Sequence, residues 1–240
     1  MANTNYSLPV FETLQISWSK VHGSKSTIWG ALLLMMVIMM GLGIGNFIIM
    51  AIAKPIQPVV NVFMHIIGLL FGMGLLYIGI KRAQDLPISY NQIFRAFDNW
   101  LWVSIIAVYI LEVLIMIIPI MCTIACMFLY ALIHTPTALV MTIILSIAGI
   151  FMTVYLAVRM MLSMAFVIDK ETGPWESIKL SFRATQSNFW KLIGIFLLLM
   201  LIVFISAIPL GIGLIWTIPF KYINYGTIYK NLSLNNLHPQ

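Results

Sequence analysis

The sequence predicts an all-α polytopic membrane bundle of six transmembrane helices, laid out as three hairpins, each preceded by an interfacial amphipathic helix. Three observations carry this reading. Of the 240 residues, 62% are hydrophobic and 8% charged, where soluble globular domains have roughly 25% charged residues. A chain so poor in charge could not cover a folded surface in water. Charge-poor runs recur along it, each of about twenty residues or more and so long enough to cross a hydrocarbon core about 30 Å thick. The basic residues fall almost entirely in alternate connections between these runs, which is the pattern that orients membrane helices.

The first run covers about 27–53 and starts too late, and is too long, for a signal-peptide core; it reads as a retained first span. Lys54-Pro55-Ile56-Gln57-Pro58 ends it, because proline removes a donor and disfavours helix in the preceding residue. The second covers about 59–80 and stops at Lys81 and Arg82. The third covers 101–133, the fourth 137–168, the fifth about 191–208, and the sixth ends near Lys230. Spans three and four are too long for one straight crossing and too short for two of about 20 residues each. Single tilted or kinked helices are expected, with Pro119 as the kink in span three.

Charge counting sets the topology. Lys20 and Lys25 precede span one. Lys81, Arg82 and Arg95 separate spans two and three. Lys170, Lys179, Arg183 and Lys191 separate four and five, and Lys230 follows six. The opposite connections hold only Lys54. Both termini are therefore expected in the cytoplasm.

A weak internal repeat runs through the chain, which reads as one integral membrane domain, 1–240, with units at about 9–80, 87–168 and 174–232. Phe11, Leu14 and Trp18 head the first unit. Tyr90, Ile93 and Phe97 head the second, and Trp175, Ile178 and Phe182 the third. An aromatic, an apolar residue three on and an aromatic four further share one helical face. Such a helix lies in the membrane interface with its apolar face down. Phe11-Glu12-Thr13-Leu14-Gln15-Ile16-Ser17-Trp18 also parallels Trp175-Glu176-Ser177-Ile178-Lys179-Leu180-Ser181-Phe182 position by position. Ser89-Tyr90-Asn91-Gln92 has a capping-box pattern.

Two charged residues stand out inside the spans. Glu112 in span three and Arg159 in span four each lie roughly 15–18 Å from the basic end of their helix at 1.5 Å per residue. An unpaired charge at that depth costs at least about 2.5–3.5 kcal/mol. The two are therefore expected to pair, with Lys221 as the alternative partner of Glu112. Such a pair either fixes the register of spans three and four or lines a polar site. Gly41 and Gly45 in span one, and Gly68 and Gly72 in span two, have the spacing that lets helices approach closely, and are expected to pack within the first hairpin or to mediate homodimerisation.

Other chemistry is thinly represented. Cys122 and Cys126 lack His or acidic neighbours and read as small buried residues rather than metal ligands. The 17 methionines include Met35, Met36, Met39 and Met40, which point several ways around one helix; flexible apolar packing suits them better than copper. His22, His65, His134 and His238 are scattered. With no nucleophile–base arrangement, phosphate loop or metal spacing, neither an enzyme, a cofactor nor a metal is expected. The net charge of +6 resides in connections between spans, with no basic patch interleaved with aromatics, so nucleic acid is not expected as a partner.

Two segments carry a family resemblance. One is Gly79-Ile80-Lys81-Arg82-Ala83-Gln84-Asp85-Leu86-Pro87-Ile88-Ser89, continuing to Phe94-Arg95-Ala96-Phe97. The other is Ala165-Phe166-Val167-Ile168-Asp169, followed by Glu176-Ser177-Ile178-Lys179-Leu180-Ser181, then Trp190, Pro219 and Tyr229. The chain resembles a loose family of bacterial six-span inner-membrane proteins, which includes YciC-like proteins and the membrane domain beside some glycerophosphodiester phosphodiesterases. The resemblance implies six spans and a bacterial inner-membrane location. It carries over no catalytic residue, and Glu112 falls outside its pattern. The expected function is non-enzymatic envelope organisation through membrane lipids or a membrane-protein partner. A small-molecule or ion transporter or channel, and a subunit of a larger complex, are the alternatives.

Overall fold

The computed structural model describes residues 7–208 and 211–237. Among them the chain is all-helical. Nine α-helices run α1 Val10–Ser19, α2 Lys25–Ile52, α3 Gln57–Ala83, α4 Leu101–Ile133, α5 Pro136–Met160, α6 Ser163–Lys170, α7 Pro174–Thr185, α8 Phe189–Ala207 and α9 Leu214–Leu237, with 3₁₀ turns at Lys54–Ile56 and Tyr90–Phe97. Five helical stretches are long and apolar enough to cross a membrane: Lys25–Ile52, Lys54–Ala83, Leu101–Ile133, Pro136–Lys170 and Phe189–Ala207. α9 is not among them, since Lys221, Asn224, Thr227, Lys230, Asn231 and Ser233 interrupt its apolar content.

Burial divides the molecule along its length. Ile28, Leu75, Ile80, Ile105, Phe166 and Tyr229 belong to one core near the end where Lys20, Lys81 and Lys230 gather. Toward the other end the helices present apolar side chains outward, among them Phe47, Phe63, Phe128, Ile147 and Phe204. Exposed apolar surface on this scale needs an apolar surrounding.

The closest helix contact joins α3 to α9. A Cβ at Gly79 would lie 2.4 Å from the Tyr222 carbonyl oxygen, and one at Gly226 would lie 2.5 Å from the Gly79 carbonyl oxygen. Backbone touches backbone there, which only glycine permits. Gly74 similarly receives the Tyr90–Phe97 turn, since a Cβ on it would lie 2.0 Å from the Ile93 carbonyl oxygen. That turn starts with the expected capping box. The Ser89 hydroxyl accepts from the Asn91 N–H, and the Ser89 N–H donates to Gln92. It winds as a 3₁₀ helix rather than an α-helix, burying Ile93 and Ala96 and setting Phe94 and Phe97 against Phe71.

The expected faces are buried only in part: Ile93 and Ile178 are buried, while the leading aromatics Phe11, Tyr90 and Trp175 are exposed. In α1, Thr13 and Ser17 are fully buried while Phe11 is 81% exposed and Trp18 is exposed too. In α7, Ser177 and Ser181 are buried while Trp175 is exposed. These hydroxyl pairs occupy equivalent positions in the two parallel octapeptides, and spacing by four puts each pair on one face. Ser17 Oγ lies 3.0 Å from Thr227 Oγ1 and accepts from Asn224 Nδ2 at 3.3 Å. Small hydroxyl residues let both helices lie close to their neighbours and leave Phe11, Trp18 and Trp175 exposed, while Phe182 is half-buried.

Ser181 has a second task. The helical ladder breaks between α5 and α6 at Met161 and Leu162. Ser181 Oγ donates to the Arg159 carbonyl at 2.7 Å and accepts from the Leu162 N–H at 3.1 Å. One hydroxyl on α7 thus satisfies backbone groups on both sides of the break. The fourth span is therefore two helices, interrupted where there is no proline or glycine. In α4, Pro119 sits within the helix, and Thr123 Oγ1 donates to its carbonyl at 2.9 Å.

The basic end is tied by helix-end chemistry. Lys20 Nζ and Lys230 Nζ both donate to the Ala83 carbonyl, at 2.6 and 3.2 Å, where the C-terminal carbonyls of α3 lack helical partners. Arg82 in turn donates to the Lys20 and His22 carbonyls beyond α1. Tyr229 donates to Asp169 at 2.9 Å. Arg95 pairs with Glu171. Lys20 also pairs with Asp85 at 2.7 Å. Its hydrogen bond, reinforced by the charges of Lys20, Lys230 and Arg82, holds the Asp85 carboxyl below its usual range.

A depressed carboxyl contributes stability in full above its unfolded value of roughly 3.9, and that contribution is lost as pH falls through the folded value. Asp85→Asn should therefore flatten the acid limb of a stability–pH curve below about pH 4. The change should be small, since the Asp85 side chain is 65% exposed and screened by solvent. An acid limb identical to that of the parent would remove Asp85 from the account.

Candidate ligand cavity

A cavity of about 750 Å³ lies between α3, α4, the α5–α6 junction, α8 and α9. This is within the roughly 300–1,000 Å³ of small-molecule sites. Its wall is mainly hydrocarbon and thioether. Leu69 and Met73 come from α3, Met116 from α4, Met160, Met161 and Met164 from around the break, and Leu199 and Met200 from α8. Six methionines on one wall give a lining that can change shape, because the side chain is unbranched and polarizable. The break at Met161 and Leu162 helps build it, since Met160, Met161 and Met164 all reach the cavity from either side.

The polar part of the wall is small and concentrated. Glu112 enters from α4, and Lys221, Tyr222, Asn224 and Tyr225 enter from α9. Glu112 accepts a hydrogen bond from Ser163, whose hydroxyl also lies 2.5 Å from the Met160 carbonyl. Asn224 is fully buried. Its amide N–H₂ donates to Ser17, while its Oδ1 is buried without a hydrogen-bond partner. Lys221 is exposed and lies over the Tyr222 ring, 5.8 Å from the centroid.

Arg159 is elsewhere, and the expected Glu112–Arg159 ion pair does not form. No ion pair involves either residue among the described ones. Arg159 is buried against α7, donating to Thr185 Oγ1 at 3.2 Å, with Phe182 and Tyr155 ring centroids 5.1 and 5.9 Å away. Matched depth counted along two helices did not bring the side chains together, since Glu112 meets Ser163, four residues on from Arg159. Ser163, beyond the helix break, takes the place of the arginine beside Glu112. Lys221, the alternative partner, shares the cavity with Glu112 but is not within ion-pair distance.

The glycines singled out by spacing are also not the ones at the tightest contacts. A Cβ on Gly41, Gly45 or Gly72 would meet nothing within 4 Å, and one on Gly68 would meet only the Met39 methyl at 3.8 Å. Gly72 instead borders the cavity. Cys122 is exposed and Cys126 half-buried, where buried positions were expected. Among the described residues no three His, Cys, Asp or Glu side chains converge as metal ligands would.

Asn224 and the methionines were missed as site residues because each is ordinary by itself. The available signal was the polarity of α9, whose Asn224 sits one turn from Lys221. Compared with protein-family models, curated proteins and solved structures, the chain matches none.

Proposed function

We propose that this is a non-enzymatic inner-membrane protein that holds one amphiphilic molecule, a lipid or lipid-like compound, in the cavity between α3, α4, α8 and α9. The observation carrying this is the wall itself: hydrocarbon and methionine over most of its area, with one cluster of charge and amide at Glu112, Lys221 and Asn224. An amphiphile has that same division. Envelope organisation through lipid contact, alone or with a membrane-protein partner or second copy, is the corresponding role.

In this reading α9 is the sixth crossing. It packs against α3, with Gly226 beside Gly79 and Lys230 beside Ala83, so the two helices run in the same direction. Its polar face is turned inward, where Asn224, Thr227 and Ser233 are buried, which is how a polar helix can lie within a bilayer. The six crossings form three hairpins led by α1, the Tyr90–Phe97 turn and α7, with the basic end and both termini in the cytoplasm. The exposed aromatics Phe11, Tyr90 and Trp175 suit the membrane–water boundary.

Passage of a small polar solute is the second reading, favoured by the two opposite charges on one wall. The hydrocarbon character of the rest of the lining favours retention of an amphiphile over passage of an ion. The test is occupancy. Gly72→Phe directs a ring at the cavity from a position where an added Cβ meets nothing within 4 Å. The parent protein, purified in mild detergent, should carry a bound lipid by native mass spectrometry, and the variant should fold but carry none. Equal occupancy in the two, or no lipid in the parent, would remove the reading.

A further inference from the structure

We infer that the cavity selects a zwitterionic phospholipid bearing a primary ammonium, held by Glu112 at its ammonium and by Lys221 at its phosphate. This inference rests on the amphiphile reading of the cavity and adds the headgroup chemistry.

The groups on the wall define what they can bind. Glu112 supplies a half-buried carboxylate acceptor. Lys221 supplies a cation on the same wall, with no carboxylate among the described residues within ion-pair distance. A wall that offers both a carboxylate and a cation fits a ligand carrying both charges. A primary ammonium can both hydrogen-bond and ion-pair with Glu112. A quaternary ammonium has no donor, and a glycerol headgroup has no positive charge. Depth is consistent. Lys221 lies nine residues from Lys230, about 13 Å along the helix, and Glu112 lies eleven residues into α4, about 16 Å from its start.

The experiment is a binding comparison on the full chain in detergent micelles, titrated with phosphatidylethanolamine, phosphatidylcholine or phosphatidylglycerol of identical acyl chains and read by native mass spectrometry and thermal unfolding. Phosphatidylethanolamine should bind about tenfold more tightly than either of the others, the worth of one charge-assisted contact. Glu112→Gln keeps an acceptor for Ser163, and so should fold, but should bring phosphatidylethanolamine down to the level of phosphatidylcholine. Lys221→Gln should weaken all three lipids alike, since each carries the phosphate. Equal binding of the three lipids, preference for phosphatidylglycerol, or a Glu112→Gln protein that keeps the preference would overturn the headgroup assignment while leaving the amphiphile reading in place. Failure of all three lipids to bind would overturn both.

Discussion

Gly79→Ala should destabilise the protein by about 3 kcal/mol, at the upper end of what overpacking a filled interior costs. The new methyl carbon would lie 2.4 Å from the Tyr222 carbonyl oxygen and 2.6 Å from its carbon, both backbone atoms of α9. A side chain could rotate away from such an intruder, but a helix backbone can only move as a unit. Separating α3 from α9 would also loosen the polar seam that α9 makes with α1, where Asn224 and Thr227 meet Ser17. Gly226→Ala meets the Gly79 carbonyl oxygen at 2.5 Å and should behave alike. Gly41→Ala and Gly45→Ala are the controls. With open space around them they should be neutral or stabilising by up to about 1 kcal/mol, since alanine is the better helix former. Thermal unfolding in one detergent would rank the four. A tolerated Gly79→Ala, or controls as damaging as Gly79→Ala, would mean that α3 and α9 do not meet as described.

These glycines show where sequence reasoning reaches its limit. The spans were legible because composition over twenty residues decides whether a helix can face hydrocarbon, whatever its neighbours do. Five of the six expected stretches meet that test in the structure, and α9 fails it because Lys221, Asn224, Thr227, Lys230, Asn231 and Ser233 interrupt its apolar content. Which glycine touches which helix depends on azimuth and crossing point. A small-residue pair at four-residue spacing suggested Gly68 and Gly72, whereas one glycine from each helix, Gly79 and Gly226, makes the contact. Glu112 and Lys221 could be named as candidates because a charge in an apolar run is costly anywhere. The cavity itself could not, since its wall is assembled from α3, α4, the α5–α6 junction, α8 and α9. The break that carries Met160, Met161 and Met164 into it contains no helix-breaking residue. It persists because Ser181 on another helix supplies the missing hydrogen bonds.

Arg159 yields the second large effect, and it separates packing from charge. The side chain is buried between the Phe182 and Tyr155 rings and donates to Thr185, while its Nε is buried with no partner. Arg159→Ala would leave a void under α7 and should cost about 2–5 kcal/mol, as other large-to-small changes in packed interiors do. Arg159→Met keeps the length and much of the volume. It gives up attraction to the rings, about 0.5–2 kcal/mol, and removes the desolvation of a charge that has no counter-ion, so the two changes offset one another and the net cost should be near 1 kcal/mol. The double variant Glu112→Gln/Arg159→Met should then equal the sum of its single variants within about 0.5 kcal/mol, because residues with no shared partner do not couple. A rescue of one substitution by the other in unfolding measurements would restore the ion pair and count against separate partners for Glu112 and Arg159. Additivity, together with a methionine variant far more stable than the alanine one, would place Arg159 as the filler between α5 and α7 and leave Glu112 free to face the cavity.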